Sequence, residues 1–323
     1  MPEHDWLLVE TLAGHGAPTL VADGDRMKDW SSLRRVRREL PAAASRRIAE
    51  VVQRCTVSAH LETDIDDKLR VVGVPIGCAY GGVHGVQVWA GPPARVPGPP
   101  PAVAAWDWDA ETELAHHGPG LEELVFARAP EEVRVIRTPP EAFGRMVRFD
   151  GRIEYFALVG AGEGQYQGDV DMIGDDGRVR TFQMVTRARP SIRRISALMH
   201  QLTDTALMRP DVEMTMMRAV SRRADEGIGF VELNSGVIYE WPRTPPPPLN
   251  RWATERPVFH PDDVAAFRSV LLELAGAADR PARQLRIRVR FADTGWIPVL
   301  IDVMPLMSQE SGHGLLVVRE PAD

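Results

Sequence analysis

The sequence predicts an α+β protein of three tandem units, each an antiparallel sheet packed with short helices. Three observations lead there. A pattern of short strands, an irregular stretch, a helix and a closing hairpin occurs three times, at a spacing of about 100 residues. A proline run, GPPARVPGPPP (91–101), separates the first copy from the second as a semi-rigid spacer. Length and composition agree: 323 residues suffice for two or three domains, and 44% hydrophobic with 26% charged residues is ordinary globular material. The expected division is 1–92, a Pro-rich linker at 93–102, 103–190, a helical connector at 191–227, and 228–323.

In the first unit, WLLVETL (6–12) and TLVADG (19–24) read as strands around a Gly/Pro turn. SRRIAEVVQRC (45–55) reads as a helix, with Ile48, Val51 and Val52 at i, i+3, i+4. RVVGVPIG (70–77) and VHGVQVWAG (83–91) flank Gly81-Gly82, a hairpin signal.

The second unit opens with VAAWDWDAETEL (103–114), where apolar and polar residues alternate. A helix is expected in EAFGRMVRF (141–149), after a proline pair suited to a first turn. RIEYFALVG (152–160) is expected as a strand, and YQGDVDMIGDDGRVRTFQMVTRA (166–188) as two strands turning at Asp175-Asp176-Gly177. SIRRISALMHQLTDTALM (191–208) and DVEMTMMRAVSRRADEG (211–227) are expected to be helices.

The third unit begins with two strands in IGFVELNSGVIYEW (228–241) around Asn234-Ser235-Gly236. WPRTPPPPL (241–249) is a stiff loop, with a proline-rich ligand segment as the alternative. HPDDVAAFRSVLLELAG (260–276) raises the question of chemistry against structure. Pro261 suits the first helical position, and Asp262 and Asp263 then meet the positive end of the helix dipole. Val264, Phe267, Leu271 and Leu274 form one apolar stripe, so this is a helix start and not a metal or acid/base site. LRIRVRFADTGWIPVLIDVMPL (285–306) is a hairpin turning at Asp293-Thr294-Gly295, and GLLVVRE (314–320) a last strand.

This order resembles that of a PAS domain. HPDDVAAF resembles the helix start common in PAS domains, and WDWDAETEL (106–114) the first strand pair of a PAS or related GAF unit. HDWLLVETL, VADG and VHGVQVWAGPP resemble an actinobacterial family of three-domain proteins of PAS–GAF–PAS type, a likeness covering essentially the whole chain. The resemblance implies PAS-like outer domains, a middle domain of GAF or PAS type, and a sensory or signalling role without a defined reaction. It transfers no catalytic residue.

Charge and motifs exclude more than they identify. A net charge of −7 gives no general attraction to nucleic acid or anionic membranes. Two cysteines rule out a disulfide framework and fit a reducing cytoplasm; the acidic N-terminus is no secretory signal, and no apolar run is long enough to span a bilayer. LVGAGEGQYQG (158–168) lacks the dinucleotide spacing. HLETDIDD (60–67) has oxygen ligands suited to Mg²⁺ or Ca²⁺ but no calcium-loop glycine, and reads as a connecting loop. His116-His117 precede Gly-Pro-Gly and read as a turn, while Ser311 and His313 in QESGHG read as a loop. The arginines at 286, 288 and 290 and those at 34, 35, 37 and 38 lack the interleaved aromatics of a nucleic-acid surface.

The expectation is a non-catalytic cytosolic sensory or signalling protein that binds a small ligand, a protein partner or both. A scaffold whose pockets are filled by its own side chains is the alternative, and a small-molecule enzyme a third. Only a few residues follow the last strand, too few for an effector domain. Inward-facing aromatics are the ligand-pocket candidates: Trp106, Trp108, Phe143, Tyr155, Phe182, Phe230, Tyr239 and Phe267. Met199, Met208, Met214, Met216 and Met217 are the partner-surface candidates, because methionines adapt to a partner. No metal ligand is expected and no cofactor is named by the sequence; neither nucleic acid nor membrane is an expected partner.

Overall fold

The structure, a computed structural model, describes residues 6–14, 17–33, 42–203, 226–276, 281–306 and 312–321. In chain order the first elements are β1 (Trp6–Glu10), β2 (Thr19–Asp23), β3 (Arg26–Ser32), α1 (Ala42–Ser58), β4 (Glu62–Ile65), β5 (Arg70–Gly77) and β6 (Val83–Gly91). Next come β7 (Val103–Asp109), β8 (Leu114–His117), α2 (Leu121–Phe126), β9 (Ile136–Arg137), α3 (Pro139–Phe143), β10 (Met146–Arg148) and α4 (Arg152–Ala161). β11 (Gln165–Ile173), β12 (Val179–Arg189) and β13 (Arg194–Gln201) follow. The last described elements are β14 (Gly227–Glu232), β15 (Ile238–Arg243), β16 (Val258–Phe259), α5 (Pro261–Ala275), β17 (Arg283–Arg290), β18 (Ile297–Pro305) and β19 (His313–Arg319). The protein is α+β with three antiparallel sheets.

These elements fall into two compact units. One holds the residues up to Asp109, His116–Val135, and the strands from Gln165 through β13. The other holds Ala110–Ala115, Ile136–Gly164 and the described residues from 226 onward.

Two sheets make up the first unit. One has the order β3-β2-β1-β6-β5-β4. Its strands alternate, so Leu7 and Val9 face one way and Leu8 the other. On the Leu7 side, α1 lays Ile48, Val51, Val52 and Cys55 against Val71, Val86 and Val88. The approach is close enough that a Cβ at Gly73 would lie 2.6 Å from Cys55 Sγ. On the other side, Leu8 and Ile76 pack against Ala105, Val185 and Leu198 of the second sheet, where β11, β12, β13 and β7 are successive neighbours. The first sheet is therefore apolar on both faces.

In the second unit the sheet order is β15-β14-β19-β18-β17-β16. α5 packs Phe267, Leu271 and Leu274 on Ile287, Val289, Ile301 and Val318, with Val231 and Leu233 in the same core. By strand alternation Phe230 and Glu232 face the opposite side, where α4 lies against β14. The helix start is as expected: His260 Nδ1 accepts from the Asp262 N–H at 3.3 Å. Asp263 grips Arg288 with both oxygens at 2.9 Å, which holds its carboxyl below the usual aspartate range.

Several segments differ from expectation: the stretch 60–67 is not all loop but contains β4, and His313 is not in a loop but opens β19 and is buried. RIEYFALVG is helix α4; Tyr155, Phe156, Leu158 and Val159 are buried at helical spacing, and Gly162 ends the helix in the left-handed region. The helix in 141–149 is confined to α3, capped by a Thr138–Glu141 capping box, and Met146–Arg148 is strand. His116-His117 lie in β8 and not in a turn. The N-terminal part of the supposed helical connector is β13, buried from Ile195 through His200. A strand covered on both faces loses the alternation that would announce it. Met208, Met214, Met216, Met217, the arginines at 34, 35, 37 and 38, and Ser311 lie outside the described residues.

Candidate functional site

Four of the eight aromatic pocket candidates converge in the second unit, on the sheet face covered by α4. Phe143 of α3 and Tyr155 of α4 have ring centroids 5.6 Å apart, and Phe230 stacks on Tyr239 at 5.9 Å. Phe156, which the sequence reading passed over, sits between them: 4.8 Å from Phe143 and stacked on Tyr239 at 3.7 Å. These rings fill the space they would otherwise line. Had RIEYFALVG been read as a helix, the Tyr155-Phe156 pair would have marked a buried aromatic face.

Polar groups close the cluster. Tyr239 Oη and His313 Nδ1 share a hydrogen bond at 3.3 Å. Burial pushes the tyrosine phenol up and the His313 imidazole below its ordinary value. Arg152 Nη1 donates to Glu240 Oε2 at 2.6 Å, and Glu240 is fully buried. Glu232 accepts from the Asn234 N–H at 3.1 Å, Asn234 Nδ2 at 2.7 Å and the Ser235 N–H at 2.7 Å.

A cleft of about 40 Å³ opens in the same unit, lined by residues that include Glu113, Thr138, Trp252, Arg256 and Phe259. Arg256 pairs with both Glu113 oxygens at 3.0 Å, while burial raises the Glu113 pKa. A cavity needs about 10–15 Å³ of such space to accept one water, so the cleft has room for a few waters.

The remaining candidates are apart from this cluster. Trp106 and Trp108 of β7 and Phe182 of β12 are buried in the first unit. Phe267 is in the α5 core, stacked on Phe259 at 5.2 Å. Met199, expected at a partner surface, is instead buried in β13 beside Met184 of β12. HLETDIDD includes β4, where Arg47 clasps Asp64 at 2.8 Å and 3.0 Å and also pairs with Asp66. An arginine therefore neutralises those acids. The histidine pair divides: His117 Nδ1 meets Glu122 Oε1 at 2.6 Å, and the His116 ring leans on Tyr80 at 5.2 Å.

One polar cluster escaped the sequence reading. Cys78 follows β5, His84 is in β6, and Asp107 is in β7, all buried and each offering a ligand atom within 4.8 Å of the others. Asp107 Oδ1 accepts from Ser196 Oγ at 2.6 Å and lies 2.7 Å from His84 Nε2. The other oxygen, Oδ2, has no hydrogen-bond partner. Cys78 and His84 bracket the Gly81-Gly82 turn, but Asp107 reaches them only when the two sheets of the first unit meet.

Residues 5–101 match the family described as Rv3651-like, N-terminal. Across nearly the full length, the chain is similar to the crystal structure of an uncharacterised protein from Mycobacterium tuberculosis. The TM-score is 0.78 at 22% identity, covering 99% of this chain and 97% of that one, a likeness of fold. A second solved structure, an RNA-binding light-oxygen-voltage receptor, aligns with TM-score 0.27 and 10% identity over 68% of this chain and 95% of that one. No curated protein matches the chain.

Proposed function

We propose that this protein is a non-catalytic signalling scaffold of PAS/GAF-like domains that acts through contacts with a protein partner, with the third domain's pocket closed by its own side chains. One observation carries the reading. Phe143, Tyr155, Phe156, Phe230 and Tyr239 occupy the face where a ligand would sit, and Phe156 stacks on Tyr239 at 3.7 Å. Drug-sized ligands use cavities of about 300–1,000 Å³, roughly ten times the cleft beside Glu113 and Arg256 or more. The buried Arg152–Glu240 pair adds to the case, because opening the cluster to admit a ligand would disturb a buried charge pair that is costly to break.

The test is a thermal-shift titration of the full chain with haem, flavin mononucleotide, cyclic nucleotides and fatty acids. A ligand present at 100 times its Kd would stabilise the native state by about 2.7 kcal/mol. The scaffold reading expects no saturable shift from any of them. A saturable rise with one compound, abolished by Phe156→Trp, would replace it with a ligand sensor.

A further inference from the structure

The cluster of Cys78, His84 and Asp107 has no part in the scaffold reading and points to a chemistry of its own. We infer that these three side chains form a binding site for a divalent metal of zinc type. The inference rests on their convergence in a buried place and on the carboxylate oxygen left without a partner.

Asp107 is only 1% exposed, and its Oδ2 has no hydrogen-bond partner. Such an acceptor costs about 1–3 kcal/mol, more when charged, unless a cation or a donor satisfies it. The Oδ1 atom is already held by Ser196 and His84. Ser196 is opposite Asp107 in the β13–β7 register, so the carboxylate is oriented from its own sheet while His84 and Cys78 arrive from the other. This is how an outer hydrogen bond orients a metal-binding carboxylate.

Donor chemistry selects the ion. A soft thiolate and a borderline imidazole beside a single hard carboxylate suit Zn²⁺ or Co²⁺ and are poor for Mg²⁺ or Ca²⁺, which take all-oxygen sets. Thiolate and carboxylate together carry two negative charges, so a bound dication leaves the buried site neutral. Binding releases the thiol proton and any proton shared by His84 and Asp107. Zinc–nitrogen and zinc–oxygen bonds of about 2.0–2.2 Å at a tetrahedral angle put N and O roughly 3.3 Å apart. The 2.7 Å contact between His84 Nε2 and Asp107 Oδ1 is therefore given up when the ion binds: Oδ2 and the imidazole nitrogen take the metal, and Oδ1 keeps Ser196. A fourth position is left for water. Ala79 through Gly82, exposed at the tip of the hairpin, give access from solvent.

The experiment titrates chelator-treated, reduced full chain with Co²⁺, whose thiolate charge-transfer band reports a Co–S bond, followed by displacement with Zn²⁺. The expected result is one Co²⁺ per chain with that band, and a raised Tm on adding Zn²⁺. Cys78→Ser should abolish the band, Asp107→Asn should weaken binding at least tenfold, and Cys55→Ala, altering the other cysteine, should leave both unchanged. Folded wild-type protein that shows no band, or a band that survives Cys78→Ser, would overturn the assignment. Because the first criterion uses the unaltered chain, misfolding of a variant cannot hide a negative answer. The site is also independent of the scaffold reading: a metal can bind here whether or not any organic ligand stabilises the protein.

Discussion

Replacing Gly160 with alanine sets two effects of opposite sign against each other. Gly160 lies inside α4, where glycine is worse than alanine by about 0.5–1 kcal/mol, so on propensity alone Gly160→Ala stabilises. The structure argues the reverse. A Cβ there would lie 2.5 Å from Glu232 Oε1, 2.7 Å from its Cδ and 3.0 Å from Oε2. The carboxylate cannot swing aside freely, because Asn234 N–H, Asn234 Nδ2 and Ser235 N–H all donate to it in a buried place. Hydrogen bonds to a charged group contribute about 1.5–3 kcal/mol each. Losing two of them costs about 3–6 kcal/mol, and subtracting the helix gain leaves a net loss of about 2–5 kcal/mol. If α4 lifts off the sheet instead, the penalty moves to the Phe156–Tyr239 stack but keeps its sign.

Urea titration with hydrogen–deuterium exchange on peptides spanning 152–161 and 227–241 is the appropriate assay. Both peptides belong to the second unit, whereas a whole-chain signal would mix two bodies. The decisive comparison is a double-mutant cycle. In a Glu232→Ala background the clash is gone, so Gly160→Ala should there become neutral or stabilising by up to about 1 kcal/mol. A Gly160→Ala protein as stable as the wild type, or equal destabilisation in both backgrounds, would refute the packing argument.

Two further outcomes follow from buried titrating groups. His313 has a folded pKa below its unfolded value, mainly because burial disfavours the imidazolium, although Glu232 pulls the other way. The unfolded chain therefore binds more protons as the pH drops from about 6.5. Stability is full above that value and declines toward the folded pKa, by up to about 1.4 kcal/mol for each unit of depression. His313→Asn should flatten the dependence of the urea midpoint between pH 7.5 and 5, and an unchanged slope would sink the assignment. Burial against β5 pushes the Cys55 thiol up to about 11, so at pH 8 a thiol reagent should label Cys55 only as the first unit opens in urea, with mass spectrometry locating the adduct; labelling of Cys55 in the native protein would refute this.

Local chemistry made parts of this fold legible. The turns at Gly81-Gly82, Asp175-Asp176-Gly177 and Asp293-Thr294-Gly295 carry residues that suit a tight reversal, and α5 combines a proline start, a dipole-matched acidic turn and a clean stripe. RIEYFALVG failed because a short, dense apolar run fits strand and helix alike, and only its contact with β14 decides. Aromatic candidates could be selected by type, yet nothing local says that Phe143 and Tyr239 meet while Trp106 stays in the other unit. Asp107 is the extreme case. Within WDWD it reads as an exposed position of an alternating strand, and its burial comes from a second sheet packing over it.

That second sheet depends on β13, the segment whose sequence reads as helix. Ile192, Ile195, Leu198 and Met199 fall at helical intervals, but the chain extends because both of its edges are taken. Phe182 through Arg189 of β12 pair on one side, and Val103 through Asp109 of β7 on the other. A fragment ending at residue 190, where the connector was expected to begin, would leave β12 and β7 with no strand between them. It would also expose Val185 and Ala105, which pack with Leu198, and remove Ser196 from Asp107. Unpaired interior strands with apolar faces aggregate. The fragment 1–190 should therefore be insoluble or lack dispersed amide resonances, whereas 1–203, thirteen residues longer, should regain those of β7, β12 and β13, even with residues 136–164 parted from the sheet they pack on. If 1–190 gave a dispersed spectrum as good as that of 1–203, β13 would be an accessory strand, and the burial of Asp107 would need another cause.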